Sequence, residues 1–164
     1  SLLPFRMGPV YDTDAARSGR FAADFGGTAV ADPSDVTSAD AVFVCAWTSE
    51  HRELVARCVR ADTAVFCEKP LGVDLADARA VAELVEGVAR PNMVGLVLRS
   101  SPAMLVAREL LGGALAPDGL GRVMSVVFRD DQFLPTQGLY GSSWRGGRGK
   151  PVSAKLLEHS MHNT

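Results

Sequence analysis

Long apolar runs are missing from this sequence. No stretch approaches the roughly 20 apolar residues of a membrane-spanning helix, so no membrane segment is expected. The first residues, Ser1-Leu2-Leu3-Pro4-Phe5-Arg6, lack the charged region and apolar run of a signal peptide. Cysteine is scarce. Cys45, Cys58 and Cys67 form no C-x-x-C pair and no metal-ligand spacing, which excludes a disulfide framework and a zinc module. An odd count in apolar or amphipathic stretches predicts buried, reduced thiols and a cytoplasmic protein. A charge surplus is also lacking: 17 Lys and Arg against 19 Asp and Glu leave a net charge of -2. With no basic patch interleaved with aromatics, nucleic acid is not an expected partner. There is no glycine loop of the form G-x-G-x-x-G, no internal repeat and no low-complexity segment. What is present, 47% hydrophobic and 22% charged residues over 164 positions, is the make-up of a globular protein with a real core.

Short apolar runs alternate with amphipathic stretches. Gly8-Pro9-Val10-Tyr11 is extended and ends at Asp12. Residues 14–25 have helical spacing, with Ala15, Phe21, Ala22 and Phe25 as apolar positions, and Gly26-Gly27 stops them. Thr28-Ala29-Val30 is a very short strand, and Asp32-Pro33-Ser34-Asp35 a turn. Ala41-Val42-Phe43-Val44-Cys45, Ala64-Val65-Phe66-Cys67 and Met93-Val94-Gly95-Leu96-Val97-Leu98 read as strands covered on both faces. Between them Ser49 is placed to cap a helix with Leu54, Val55, Cys58 and Val59 inward. Asp74 is placed to cap another with Leu75, Ala78, Val81, Ala82 and Val85 inward. This order predicts right-handed βαβ units and a doubly wound parallel sheet. After Arg99 the pattern changes to a helix over 102–111, a longer strand over 121–129, a Gly/Pro/Arg-rich loop over 135–151 and a helix start from Ser153. The chain opens on Ser1 and closes on Asn163-Thr164 inside a helical pattern, which predicts a piece of a longer reading frame.

In open α/β sheets ligands bind at the carboxyl ends of the strands, and three polar clusters fall there. Asp12 fits the acid that accepts the ribose hydroxyls of a dinucleotide, about 20 residues after a glycine loop. It also fits a residue that opens the turn before the next helix. The second cluster is Trp47-Thr48-Ser49. In the third, Glu68-Lys69-Pro70, an ammonium at a strand end could polarise a substrate oxygen, with Glu68 orienting it; taken alone, the residues favour a solvated pair before a turn proline. Farther along, Glu158 and His162 lie one helical turn apart. That spacing suits a carboxylate and an imidazole acting on one proton, or an exposed i,i+4 pair; a zinc site would lack an evident third ligand.

Together these residues resemble the glucose-fructose oxidoreductase, inositol dehydrogenase and rhizopine-catabolism family (Gfo/Idh/MocA). The resemblance covers nearly the whole chain, from Val10 to Asn163. Val65-Phe66-Cys67-Glu68-Lys69-Pro70-Leu71 is similar to its EKP signature. Val94-Gly95-Leu96-Val97-Leu98-Arg99 is similar to the strand leaving its nucleotide domain, and Gly121-Arg122-Val123 to the start of its second sheet. Trp144-Arg145, with Leu157-Glu158-His159-Ser160-Met161-His162, is similar to the segment that brings catalytic groups to the nicotinamide. Departures are Trp47 where Pro is usual, Glu158 where many members have Asp, Asn163 where an acid often follows, and Gly-Gly-Arg-Gly-Lys-Pro at 146–151.

The resemblance implies a Rossmann-like α/β domain over 1–99, its first βα unit missing, and the start of an α+β substrate domain over 100–164. It implies Lys69 and His162 as the catalytic pair, with Glu158 beside the histidine. It implies Asp12, Thr48, His51, Glu68, Lys69, Trp144 and Arg145 at the cofactor. The expected activity is hydride transfer between NAD, with NADP possible, and a sugar, polyol or related hydroxyl compound, in a homo-oligomer. A carboxylate at position 12 favours NAD, because it repels a 2′-phosphate. The rival expectation is a non-catalytic dinucleotide-binding sensor of the same fold.

Overall fold

The computed structural model describes residues 5–111, together with 125 and 127. The chain divides into two units, Ser1–Gly95 and Leu96–Thr164. Within the first, β1 (Pro9–Val10) leads to α1 (Ala15–Phe25) and to β2 (Thr28–Ala29), which pairs parallel with β1. α1 starts where the Asp14 carboxylate accepts the amides of Ala16 and Arg17, and it ends at left-handed Gly26, whose N–H donates to Ala22 O. The expected turn at 32–35 is a longer 3-10 segment, Pro33–Ser38. Asp32 opens it by accepting the Ser34 amide at 2.7 Å, a bond that lowers its carboxyl pKa.

The second sheet holds β3 (Ala41–Val44), β4 (Ala64–Cys67) and β5 (Asn92–Val94) in that order, all parallel. Between them run α2 (His51–Arg60) and α3 (Leu75–Val85). Val44, Val55, Cys58, Val65, Cys67 and Val81 make the buried core, with Val42, Leu54, Val59, Leu71, Leu84 and Val85 packed against it. Each fully buried valine contributes about 1.5 kcal/mol or more by leaving water. The carboxylates on the surface of α2 add little: Glu53 takes Arg57 at 3.0 Å and Arg60 at 3.1 Å in an exposed pair worth at most about 1 kcal/mol.

Five expectations are corrected. The strands are not covered on both faces. Val42, Val44, Val65 and Cys67 point to the helices, whereas Phe43 stacks on Phe66 (centroids 5.1 Å apart) on the opposite side, and Phe43 and Met93 are 65% and 53% exposed. The same alternation turns Cys45 outward, one residue beyond Val44, so only Cys58 and Cys67 are buried thiols. The third strand stops at Val94 rather than Leu98. Gly95 N–H still donates to Cys67 O at 2.8 Å, but residues Val97–Ser100 form a 3-10 turn. Ser49 does not cap α2. A 3-10 turn, Thr48–Glu50, precedes the helix, and the Ser49 hydroxyl donates to Glu50 Oε1 instead. In α3 the inward stripe passes through Val81, Leu84 and Val85, which leaves Leu75 exposed in the first turn. The expected cap is present there: Asp74 accepts the Asp77 amide at 2.8 Å, and the Asp77 carboxylate accepts the Val73 amide at 3.1 Å.

α4 (Pro102–Leu111) belongs to the second unit. Among the described residues no helix is long and apolar enough to cross a membrane, and no group of three His, Cys, Asp or Glu could hold a metal ion. Neighbouring protein atoms partly desolvate even the outward Cys45 and, with the Glu68 charge, raise its thiol pKa; burial raises that of Cys58, and for Cys67 burial, then the Glu68 charge and the other thiols, push it up to about 12. Mass-spectrometric mapping after brief iodoacetamide treatment near neutral pH should therefore find only Cys45 labelled, and slowly, with Cys58 and Cys67 reacting once the chain is unfolded. Early labelling of Cys67 would mean that the β4–α2 contact opens readily.

Candidate functional site

Parallel pairing brings two of the polar clusters to one edge. Val44 lies opposite Cys67, so the loops that leave β3 and β4 start side by side. Glu68 continues the ladder by donating its N–H to Val44 O at 2.9 Å. The β3 loop carries Trp47 and half-buried Thr48, and the β4 loop carries half-buried Glu68 and Lys69 followed by buried Pro70, across a cis Lys69–Pro70 peptide bond.

The Glu68 carboxylate is placed from two sides. Its Oε2 accepts the Lys69 backbone N–H at 3.0 Å. It also lies over Gly95, where an added methyl would come within 3.1 Å of Oε2 and 3.2 Å of the Phe66 ring. Only a glycine on β5's extension leaves that space open. The charge of Glu68 reaches Cys45 and Cys67, where it adds to burial in raising both thiol pKa values. This geometry ties the Glu68 side chain to the Lys69 backbone.

Asp12 stands just past β1. Its Oδ1 accepts the Asp14 amide at 2.8 Å, and its Oδ2 lies 3.3 Å from Arg17 Nη1. The turn-opening role is thus real. The carboxylate keeps 27% side-chain exposure, with lone pairs left for another donor. Arg17, three residues into α1, is a residue that sequence reasoning missed. Its reach back to Asp12 depends on the turn at 12–14 and has no signature in spacing.

His51 opens α2 but is only 1% exposed. Its Nδ1 lies 3.0 Å from Pro70 O and its Nε2 3.1 Å from Ala46 O. Both ring nitrogens thus face backbone carbonyls. Trp144, Arg145, Glu158 and His162 lie outside the described residues.

A comparison with protein families matches residues 6–96 to GFO_IDH_MocA, described as the oxidoreductase family with NAD-binding Rossmann fold. Inositol 2-dehydrogenase of Rhizobium meliloti (strain 1021) is 36% identical over 72 residues, which cover 44% of this chain and 22% of that protein. D-apiose dehydrogenase of Paraburkholderia graminis is 38% identical over 85 residues, covering 51% of this chain and 23% of that protein. In three dimensions the chain is similar to the oxidoreductase domain protein from Kribbella flavida, with TM-score 0.61 and 28% identity over 66% of this chain and 31% of that one. The matched stretches thus span less than a quarter of the two curated relatives. The family match covers more than half of the 164 residues, and the parallel βα units and strand-end clusters agree with it: the chain belongs to the Gfo/Idh/MocA family of oxidoreductases with an NAD-binding Rossmann fold.

Proposed function

We propose that this chain carries part of the dinucleotide site and part of the catalytic site of an NAD-dependent dehydrogenase that oxidises a hydroxyl of a sugar or polyol. The observation that supports this most is the placement of Lys69. It follows a buried parallel strand at the carboxyl edge of the sheet, beside the loop bearing Thr48, with its backbone N–H held by Glu68. The relatives acting on inositol and apiose support the substrate class.

The donor set fits a dinucleotide. A carboxylate at the end of β1 suits ribose hydroxyls, and a hydroxyl, a carboxylate and an ammonium at the ends of β3 and β4 suit the nicotinamide side. When bound, NAD supplies the hydride acceptor. In this reading Thr48 and Glu68 line that side of the site. The Lys69 ammonium donates to the substrate oxygen and stabilises the negative charge that builds there. His162 takes the hydroxyl proton and Glu158 orients its imidazole, while Trp144 and Arg145 approach the cofactor. The domain boundary is placed near Arg99.

Cofactor choice rests on Asp12 and Arg17. Asp12→Asn keeps an oxygen for the Asp14 amide, so α1 still starts, but it removes the charge that favours ribose hydroxyls and repels a 2′-phosphate. A charge-assisted hydrogen bond is worth about 1.5–3 kcal/mol, so KM for NAD should rise about tenfold or more. With the Asp12 charge gone and only the 3.9 Å pairing with Asp14 left, Arg17 can face the 2′-phosphate, and the ratio of kcat/KM for NADP over NAD should increase. Initial rates of absorbance at 340 nm with each cofactor, in the whole protein, check both effects. Unchanged preference in the variant would remove Asp12 and Arg17 from the cofactor site.

A further inference from the structure

We propose that His51 is a positioning residue, a buried clamp that ties the loop after β4 to the loop after β3 and thereby sets where Lys69 sits. The proposal rests on the catalytic reading of Lys69 for its kinetic consequence, and on geometry alone for the clamp.

His51 is a polar ring with 1% exposure, packed at the first position of α2. A buried polar side chain is costly unless its groups are bonded. Here both nitrogens meet partners: Nδ1 reaches Pro70 O, nineteen positions on, and Nε2 reaches Ala46 O, five positions back. Both partners are carbonyls and only accept. A neutral imidazole carries one N–H and serves one of them, whereas a ring holding both protons serves both. Only the Nδ1 bond to Pro70 crosses between the two strand-end loops that carry Thr48 and Lys69, so the clamp places a proton on Nδ1; Ala46 lies in the same connection as His51.

The bond to Pro70 matters most. Proline has no N–H, so its carbonyl is its only polar backbone group. It follows Lys69 directly and is buried. Lys69 is therefore held on both sides: its own N–H is bonded to the Glu68 carboxylate, and the next residue's carbonyl is bonded to His51. Beyond Pro70 the chain is tied again, where Val73 N–H donates to Asp77 at the start of α3. Removing the His51 tie frees the middle of this path. A displacement of about 1 Å of a catalytic group can cost a hundredfold in rate.

Two isosteric replacements separate the two bonds. The amide nitrogen of Asn falls near the Nδ1 position and that of Gln near Nε2. His51→Asn can keep the bond to Pro70, and His51→Gln can keep only the bond to Ala46. In the whole protein, kcat of His51→Gln should fall about a hundredfold with KM for NAD nearly unchanged, and His51→Asn should recover most of that loss. Amide exchange of peptides covering residues 67–73 should quicken in His51→Gln and stay near the parent in His51→Asn. Parental kcat in both variants, or an equal fall in both with unchanged exchange, would overturn the clamp. Lys69→Ala is measured alongside. If it turns over like the parent, the catalytic reading of Lys69 fails by itself, and the clamp is then decided by exchange: the same order of the two variants upholds it, and parental exchange in His51→Gln overturns it.

Discussion

Replacing Lys69 with alanine in the whole protein should lower kcat by about 10²- to 10⁴-fold while dinucleotide affinity stays close to the parent. The reason is when its bond matters. An ammonium beside the substrate oxygen helps most as that oxygen becomes negative, so its loss appears in kcat more than in binding. In the proposed reading Lys69 acts through its side chain, whereas its backbone N–H is bonded to Glu68. Alanine retains the N–H, so the loop should keep its path. Steady-state rates, paired with calorimetric titration of NAD, separate the two effects. Parental kcat would demote Lys69 to a loop residue. A collapse of NAD affinity with kcat preserved would move it to the cofactor alone.

The largest effect on stability is expected at Gly72. It is buried in the turn between Pro70 and α3, and a methyl there would come within 2.8 Å of Asp77 C and 2.9 Å of Ala78 Cα. These are backbone atoms in the first turn of α3, held by the reciprocal bonds of Asp74 and Asp77. No flexible side chain can yield, so the helix start must shift and break at least one of those bonds. Gly72→Ala should cost about 3 kcal/mol, at the upper end for overpacking, within a total stability of roughly 5–15 kcal/mol. The midpoint of urea unfolding measures it. A change below about 0.5 kcal/mol, the usual range of surface substitutions, would show that the turn at 70–74 adapts freely.

Much of the βα order is readable in the residues because its signals are local. Ala41–Val44 and Ala64–Cys67 are short β-rich runs between turn residues, and Asp14 and Asp74 are caps whose bonds span two or three positions. Errors arise where a distant contact decides. Val94 ends its strand because the chain turns after Gly95, which fits beneath Glu68 and Phe66; continued apolar sequence through Leu98 hides this. A 3-10 turn at Thr48–Glu50 displaces Ser49 from the cap, and an apolar Leu75 is exposed because α3 faces the sheet through Val81. Strand runs such as Ala41–Val44 look covered on both faces because Phe43 is as apolar as Val44, yet only one face meets α2 and α3.

The site divides in the same way. Thr48, Glu68 and Lys69 stand out because polar residues directly after apolar strands mark strand ends, and register then makes them neighbours. Arg17 beside Asp12 is invisible to spacing, since it depends on side-chain reach across a turn. The surroundings of His51 are equally hidden: spacing does not show the two carbonyls that its ring faces.

The central claim is that hydride passes between a sugar or polyol carbon and nicotinamide at the strand ends bearing Lys69. Its most direct measurement is deuterium transfer in the whole protein. Polyols and aldoses carrying deuterium on their hydroxyl-bearing carbons are incubated with NAD, and the nicotinamide product is read by NMR. The account predicts deuterium at the nicotinamide C4 position from at least one such compound, and its loss in Lys69→Ala. Tight NAD binding with no transfer from any member of the panel would contradict it, and would make the protein a dinucleotide-binding sensor instead.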